Sequence, residues 1–351
     1  MNKLTKVGCS ALCGSLAAIS AANAGDLTVT GGADMTWISE GGNTQGNPMG
    51  VGSNFSMLGS GELDNGWKVD LTIAHANGGA YSSAVVNLDM GMLGKVNFNS
   101  GDSGNGLQAL DDKMPTAWEE PWGAGMSTGI RLVDGVGSSH NIQYTTPTVL
   151  GVTLVGAVAK DMGTTDTADK ATDAGADAGI GRGYDFTINI NPSLGTEILS
   201  GLNIFAGAHY TDIAGNSATT ENDSMEAAGG VTYDLGPVSL GTQWSAEYTG
   251  ENSSRTDYNS YKNHAFGMAF NINDNLSISY GEHYSFKAGY NSVEARTCQD
   301  AACRRVEVSS TQVAYTMGGA SVRVADINAD NIGFSGGANR SATVISLGLA
   351  F

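Results

Sequence analysis

Hydrophobic and polar residues alternate with a period of two along most of this chain, in segments of about ten residues bounded by turn residues. Leu27, Val29, Met35 and Trp37 mark one face of the first segment. Val69, Leu71 and Ile73 oppose Lys68, Asp70 and Thr72, and Val96 and Phe98 oppose Lys95, Asn97 and Asn99. The same rhythm returns in Val86/Leu88/Met90, Ile142/Tyr144, Tyr184/Phe186/Ile188/Ile190, Leu202/Ile204/Tyr210 and Val231/Tyr233/Leu235. It continues through Leu240/Trp244/Tyr248, Phe266/Met268/Phe270, Leu276/Ile278/Tyr280, Val313/Tyr315/Met317 and Val322/Val324. The last eleven residues put Ile345, Leu347, Leu349 and Phe351 on one face, with Val344, Ser346, Gly348 and Ala350 on the other. Side chains in a strand point to alternate faces, so each segment predicts a strand with one greasy side.

The connections alternate in length. Tight turns fall at Asp64-Asn65-Gly66, Leu93-Gly94, Leu235-Gly236-Pro237, Asn273-Asp274-Asn275 and Gly318-Gly319. Longer polar stretches lie between them: Glu40 to Val51, Asp102 to Gly137, Met162 to Gly183, Gly215 to Asn222, Gly250 to Ser260, Gly289 to Arg304 and Ile332 to Arg340. Short turns on one rim and long loops on the other characterise outer-membrane barrels. Counting segments gives about 16 strands, within two. The expectation is therefore an all-β fold, a transmembrane antiparallel β-barrel whose closing strand, Ser341 to Phe351, pairs with Asp26 to Trp37. Aromatic residues near segment ends, such as Trp37, Trp67, Tyr81, Tyr233 and Tyr280, fit interfacial girdles.

Composition agrees. The 351 residues include 50 glycines and 6 prolines, and the mean hydropathy of −0.12 suits a barrel that hides its greasy half by alternation. Residues 1–24 read as a signal peptide, with Lys3 and Lys6 ahead of a short apolar run and Ala22-Asn23-Ala24 as the cleavage site. Cys9 and Cys13 lack a lipobox, which argues against lipid anchoring. A mature barrel of residues 25–351 carries 15 basic against 35 acidic side chains, a net charge of −20. That excess excludes nucleic acid as a partner, since nucleic-acid binding needs basic surface. Cys298 and Cys303 remain after processing, and an exported chain meets oxidising conditions, so a disulfide across their loop is expected.

The third long loop, Asp102 to Gly137, is the longest break in the alternation, and long structureless loops are functional or disordered. It holds Asp102, Asp111, Asp112, Glu119 and Glu120 against Lys113, and its Leu107, Leu110, Met114, Trp118 and Trp122 are too apolar for free solvation. Such a segment predicts a fold-back onto the inner wall. Together with the alternation, the loop-length asymmetry and the terminal Phe351, it makes the whole mature chain resemble a Gram-negative general porin, closest in style to the trimeric sixteen-stranded porins of alphaproteobacteria.

That resemblance implies a water-filled outer-membrane channel for passive diffusion of small hydrophilic solutes and ions, assembled as a homotrimer among outer-membrane lipid and lipopolysaccharide. It also implies a pore constriction at which loop carboxylates face basic side chains. The carboxylates match well. On the basic side Lys68, Lys95 and Arg323 have inward parity, with Arg131 and Arg182 as looser candidates, so the cluster is thin. Five acids against one lysine between Asp102 and Glu120 predict cation preference.

The alternative is a solute-specific channel with a binding site at Trp118 and Trp122; a soluble β-adhesin is a third reading. No cofactor is called for. Asp161, Asp166, Asp169, Asp173 and Asp177 could offer Ca²⁺ oxygen ligands, but without an EF-hand pattern a solvated loop is preferred. No G-x-S-x-G element accompanies the five scattered histidines, and His264 alone shares outward parity with Phe266, so an enzyme is not expected.

Overall fold

A computed structural model describes residues 26–41, 48–77, 79–162, 181–192, 199–213, 223–250, 258–289 and 305–350. Sixteen antiparallel strands form one closed sheet in which each pairs with its sequence neighbours and the last pairs with the first. They are β1 Leu27–Gly41, β2 Met49–Glu62, β3 Lys68–Ala76, β4 Gly79–Asp89, β5 Lys95–Ser100, β6 Asn141–Thr145, β7 Val152–Ala159 and β8 Gly181–Ile190. The second half comprises β9 Leu202–Ile213, β10 Ser224–Leu235, β11 Val238–Tyr248, β12 Tyr258–Asn273, β13 Leu276–Gly289, β14 Arg305–Met317, β15 Ala320–Asp330 and β16 Arg340–Ala350. Among the described residues no helix is long and apolar enough to cross a membrane. Crossing falls to the strands.

The alternation sets the wall. Leu27, Val29, Trp37, Phe186, Trp244, Phe266, Ile345, Leu347 and Leu349 are exposed on the outside, where lipid covers them. Register follows from that constraint, because a one-residue slip would turn every greasy side chain inward. The closing pair runs Gly32↔Ala350 to Gly41↔Ser341. This corrects the expected partner, Asp26 to Trp37. The ladder is shifted because a barrel closes with stagger, leaving Leu27 to Gly31 paired with β2 alone.

Two further departures have one cause each. β7 shows no alternation in sequence because its inward Ala157 and Ala159 are buried against Val136 of the third loop, so both faces are apolar or small. β2 was read in part as loop; its Gly50 and Gly52 are inward positions within the strand. The signal peptide, the Cys298/Cys303 pair and residues 163–180, with all but the first of the aspartates weighed as Ca²⁺ ligands, lie outside the described residues.

Leu347 faces outward in register with Met35 and Val322. Leu347→Arg should destabilise the barrel by about 2–4 kcal/mol, the cost of a guanidinium on the lipid face, measured by urea unfolding from lipid vesicles. A smaller loss than for an Ala replacement would contradict the assignment of faces.

Candidate functional site

The loop between β5 and β6 turns into the barrel and lies along the inner wall from β8 to β16. A buried irregular segment has backbone groups with no ladder to join, and each must find a partner. The wall supplies them strand by strand. Leu107 N donates to Asp185 Oδ2 on β8 at 2.6 Å, and Gln243 Nε2 on β11 donates to Leu110 O at 2.6 Å. Ala117 N donates to Ser279 Oγ on β13 at 2.9 Å. Gln312 on β14 clamps Glu119 twice, accepting from its N–H at 3.0 Å and donating to its carbonyl at 2.6 Å.

The chain then doubles back. Thr128 O accepts from Gly333 N at 2.9 Å. Arg131 forks onto Glu247 of β11 at 2.6 and 2.7 Å. Glu226 Oε2 on β10 accepts from the N–H groups of Asp134 and Gly135 at 2.7 and 2.8 Å, and Asp185 Oδ2 accepts again from Val136 N at 3.0 Å. Asp185 is itself held by His209 Nδ1, whose Nε2 meets Thr211 Oγ1 at 2.6 Å.

Shape complements this. Gly241, Gly267 and Gly281 are register partners on β11, β12 and β13 and face inward. They form a trough for the outbound run. A Cβ on Gly267 would sit 2.8 Å from Pro115 O and 2.9 Å from Met114 Cβ, so only glycine allows this approach. Two apolar docks complete the seating. Leu107, Leu110, Met114 and Val133 pack with Phe205, Ala228 and Ala265, and Ala124 and Met126 pack with Val306, Val308, Ile327 and Val344. Burying inward valines under a loop is why the lumen side of β14 to β16 is apolar beneath Ala124 and Met126, beside the polar Gln312, Arg323 and Ser346.

On the opposite wall β5 and β6 hold the start of the loop, Gln143 Oε1 accepting from Gly106 N at 2.8 Å and Asn99 Nδ2 donating to Asp102 O at 2.9 Å, while β2 to β4 face the lumen. Its inward side chains mix hydroxyls and amides, where Thr30 and Ser56 meet at 3.0 Å and Asn97 Nδ2 donates to Asn87 Oδ1 at 2.9 Å, with the charged Asp34, Lys68, Asp70, Asp89 and Lys95. A recess of about 430 Å³ beside it is lined by Asp34, Asn54, Ser321 and Arg323.

The expected site residues divide accordingly. Asp102, Asp112 and Glu119 are exposed on the loop, Asp111, Lys113 and Trp118 are half-buried, and Glu120 is buried. Arg323 reaches the loop. Its guanidinium lies 5.0 Å from the centre of the Trp118 ring and donates to Asp34 Oδ2 at 2.7 Å, while Ser346 Oγ donates to Asp34 Oδ1 at 2.6 Å.

Lys68 and Lys95 stay away from the loop. They begin β3 and β5 at the short-turn rim, and Lys95 Nζ pairs with Asp89 at 3.0 Å. Inward parity was correct for both, but parity does not give height. Arg131 is spent on Glu247, and Arg182 points outward. Asp185, Glu226, Glu247 and Gln312 were missed as anchors; inward carboxylates and amides at one level on neighbouring strands were the available signal.

Burial sets the loop's charge. Desolvation, with the nearby Asp112 and Asp134 charges, raises the Asp111 carboxyl to about 7. Burial raises Glu120 to about 8, although Met114 N donates to its Oε1 at 2.9 Å. Asp102, Glu119 and Asp134 keep exposed surface, but the protein packed around each carboxyl strips part of its hydration and raises all three. Among the described residues no group of three or more His, Cys, Asp or Glu side chains could hold a metal ion.

A closed sixteen-stranded barrel, greasy outside and carrying an inward-folded loop, defines an integral outer-membrane channel. The chain belongs to the Gram-negative porin family, whose model matches residues 8–351. No curated protein sequence matches it. It is similar in structure to OmpF of Salmonella typhi in complex with daunomycin (TM-score 0.68, 11% identity, covering 93% of this chain and 98% of that one). It is also similar to the anion-selective porin from Comamonas acidovorans (TM-score 0.63, 14% identity, 93% and 99%). A third likeness is to the trimer form of in-vitro folded OmpT, an outer membrane protein of Vibrio cholerae (TM-score 0.61, 10% identity, 93% and 99%).

Gly267→Leu should lift the segment around Pro115 off the wall while the barrel still forms. Hydrogen exchange at the Ala117 amide should accelerate at least tenfold, with heat-modifiable electrophoretic migration kept. Gly59→Ala, which meets nothing within 4 Å, should change neither.

Proposed function

We propose that the protein is a passive, cation-preferring diffusion channel for small hydrophilic solutes and ions. One observation supports the reading: an acidic loop lies across the lumen from a wall rich in hydroxyl and amide side chains, whose inward cations, Lys68 and Lys95, stand at the short-turn rim. Two of the cations at the loop are engaged, Arg323 by Asp34 and Arg131 by Glu247, which leaves Lys113 as the loop's remaining basic side chain against the five acids from Asp102 to Glu120. At a constriction several ångströms wide, charges are screened far less than over the Debye length of about 8 Å, so unbalanced carboxylates raise the local cation concentration. The anion-selective relative shares the fold at low identity, so selectivity has to be argued from these side chains. Transport needs no cofactor and no chemical step.

The solute-specific reading is weaker. A stacking slide needs open ring faces, and Trp118 gives one face to Arg323. Assembly as a homotrimer belongs to the proposal and is supported by the family resemblance and by the trimeric form of the Vibrio cholerae relative.

Reversal potentials across a planar bilayer under a tenfold KCl gradient should have the sign of K⁺ preference; the opposite sign would overturn the proposal. The preference should also grow with pH. Asp111 and Glu120, with raised carboxyl values, are neutral in acid and ionise as pH rises through about 7 and 8. Permeability ratios at pH 6 and pH 9 should therefore differ, with the larger cation bias at pH 9. The sign for loop docking is opposite: protonated Glu120 favours the buried position, and that contribution is lost as pH rises through about 8.

A further inference from the structure

Between the two apolar docks of the third loop lies a polar patch of wall. It occupies β11, β12 and β13, beside the glycine trough on its long-loop side. Gln243, Ala265 and His283 are register partners in one inward row, and Ser245, Asn263 and Ser285 in the next. Gln243, Asn263, His283 and Ser285 are each no more than 6% exposed. Gln243 Oε1, Asn263 Oδ1, His283 Nε2 and Ser285 Oγ are buried with no hydrogen-bond partner among the described residues.

The geometry of the patch is fixed. Gln243 Nε2 donates to Leu110 O at 2.6 Å and Asn263 Nδ2 to Ser245 Oγ at 3.0 Å, so each amide is held with its oxygen turned the other way. Side chains directly opposite across antiparallel strands stand about 5 Å apart and diagonal ones about 7 Å. The four unpaired groups are thus neighbours around Asn263. The loop closes over them from both sides. Its outgoing run packs Leu110 and Met114 with Ala265, and lays Pro115 and Pro121 into the trough at Gly241, Gly267 and Gly281. Its returning run brings Arg131, forked on Glu247 and 5.7 Å from the centre of the Tyr261 ring.

Buried polar side chains in folded proteins are paired, with protein or with ordered water. Four adjacent ones without partners call for a guest, and their chemistry selects it. The patch offers two amide oxygens, a hydroxyl and an imidazole nitrogen. An anion would face the amide oxygens. A cation would lie beside the row that holds Lys287, where Glu247 is already taken by Arg131. What fits is a small neutral molecule that donates two hydrogen bonds and still accepts. We propose that about two water molecules are held here, bridging Gln243 Oε1, Asn263 Oδ1, His283 Nε2 and Ser285 Oγ under the loop. The site goes beyond the channel reading and does not depend on ion preference. It makes the loop's seat dry at the two docks and wet between them. Water bridges re-form after a small displacement more readily than close packing does, so the wet patch is the part of the seat that tolerates movement.

The test is solid-state NMR of the barrel in lipid, with magnetisation transferred from water. The side-chain amides of Gln243 and Asn263 and the His283 ring should receive it roughly fivefold faster than Leu107 and Val308 in the docks. Rates equal to those of the docks would mean a dry patch and overturn the proposal. Anomalous scattering at the patch in crystals soaked in rubidium chloride would mean a monovalent cation and overturn it equally. Asn263→Leu replaces the central acceptor by an apolar side chain of similar size. It should strand the water and speed exchange of the Ala117 amide by about tenfold. Unchanged or slower exchange would show leucine filling a dry space, and would sink the idea. Ser285→Val serves in the same way if Asn263→Leu fails to give heat-modifiable barrel.

Discussion

The capture of buried backbone amides by the barrel wall is the constraint on which the site depends. A loop of some forty residues inside a barrel cannot satisfy its N–H and C=O groups by extending the sheet, and an orphaned buried group costs about 1–3 kcal/mol. Asp185 takes amides from both the outgoing and the returning run of the loop, and Glu226 takes two successive amides at its turn. Charge-assisted acceptors of this kind are stronger than neutral ones, so one wall carboxylate can tie together loop residues nearly thirty positions apart.

Position and charge are thereby linked. The loop presses into the glycine row of β11 to β13 and over the inward valines of β14, which confines the open lumen to the side of β1 to β6. That side carries threonine, serine and asparagine together with Asp34 and Asp70, and its lysines, Lys68 and Lys95, stand at the short-turn rim. Carboxylates on the loop's free edge therefore face a wall with few cations. The field depends as much on which cations have been neutralised, Arg131 by Glu247 and Arg323 by Asp34, as on how many acids the loop carries.

The same wall serves two solvents. Outward residues answer to lipid over most of the circumference, and inward ones answer either to water or to the docked loop. Where a strand must satisfy the loop inside, its alternation fades, as in β7, or changes character, as in β14, whose valines 306 and 308 point inward while Glu307 and Ser309 point outward. An acidic residue on an outer wall is as informative as a greasy one on an inner wall: Glu307 stands two residues from the long-loop end of its strand, and Val306 and Val308 lie under the docked loop.

Alternation and turn residues together were enough to read the strand number to within two, the sidedness of most strands and the site of the inward loop, because side-chain direction in a strand is a local property with a period of two. Tight-turn glycines and asparagines supplied the hairpins by equally local chemistry. Height along the barrel and partners across it were not local. Lys68 and Lys95 share the parity of Arg323 yet stand at the very start of their strands and do not reach the loop, and Gln312 holds Glu119 from 193 positions away. The stagger of closure set those levels, including the shift that pairs β16 with Gly32 to Gly41. Sequence decided which way each side chain points; only the closed barrel decided what it meets, because contact between distant strands depends on register summed around the whole ring.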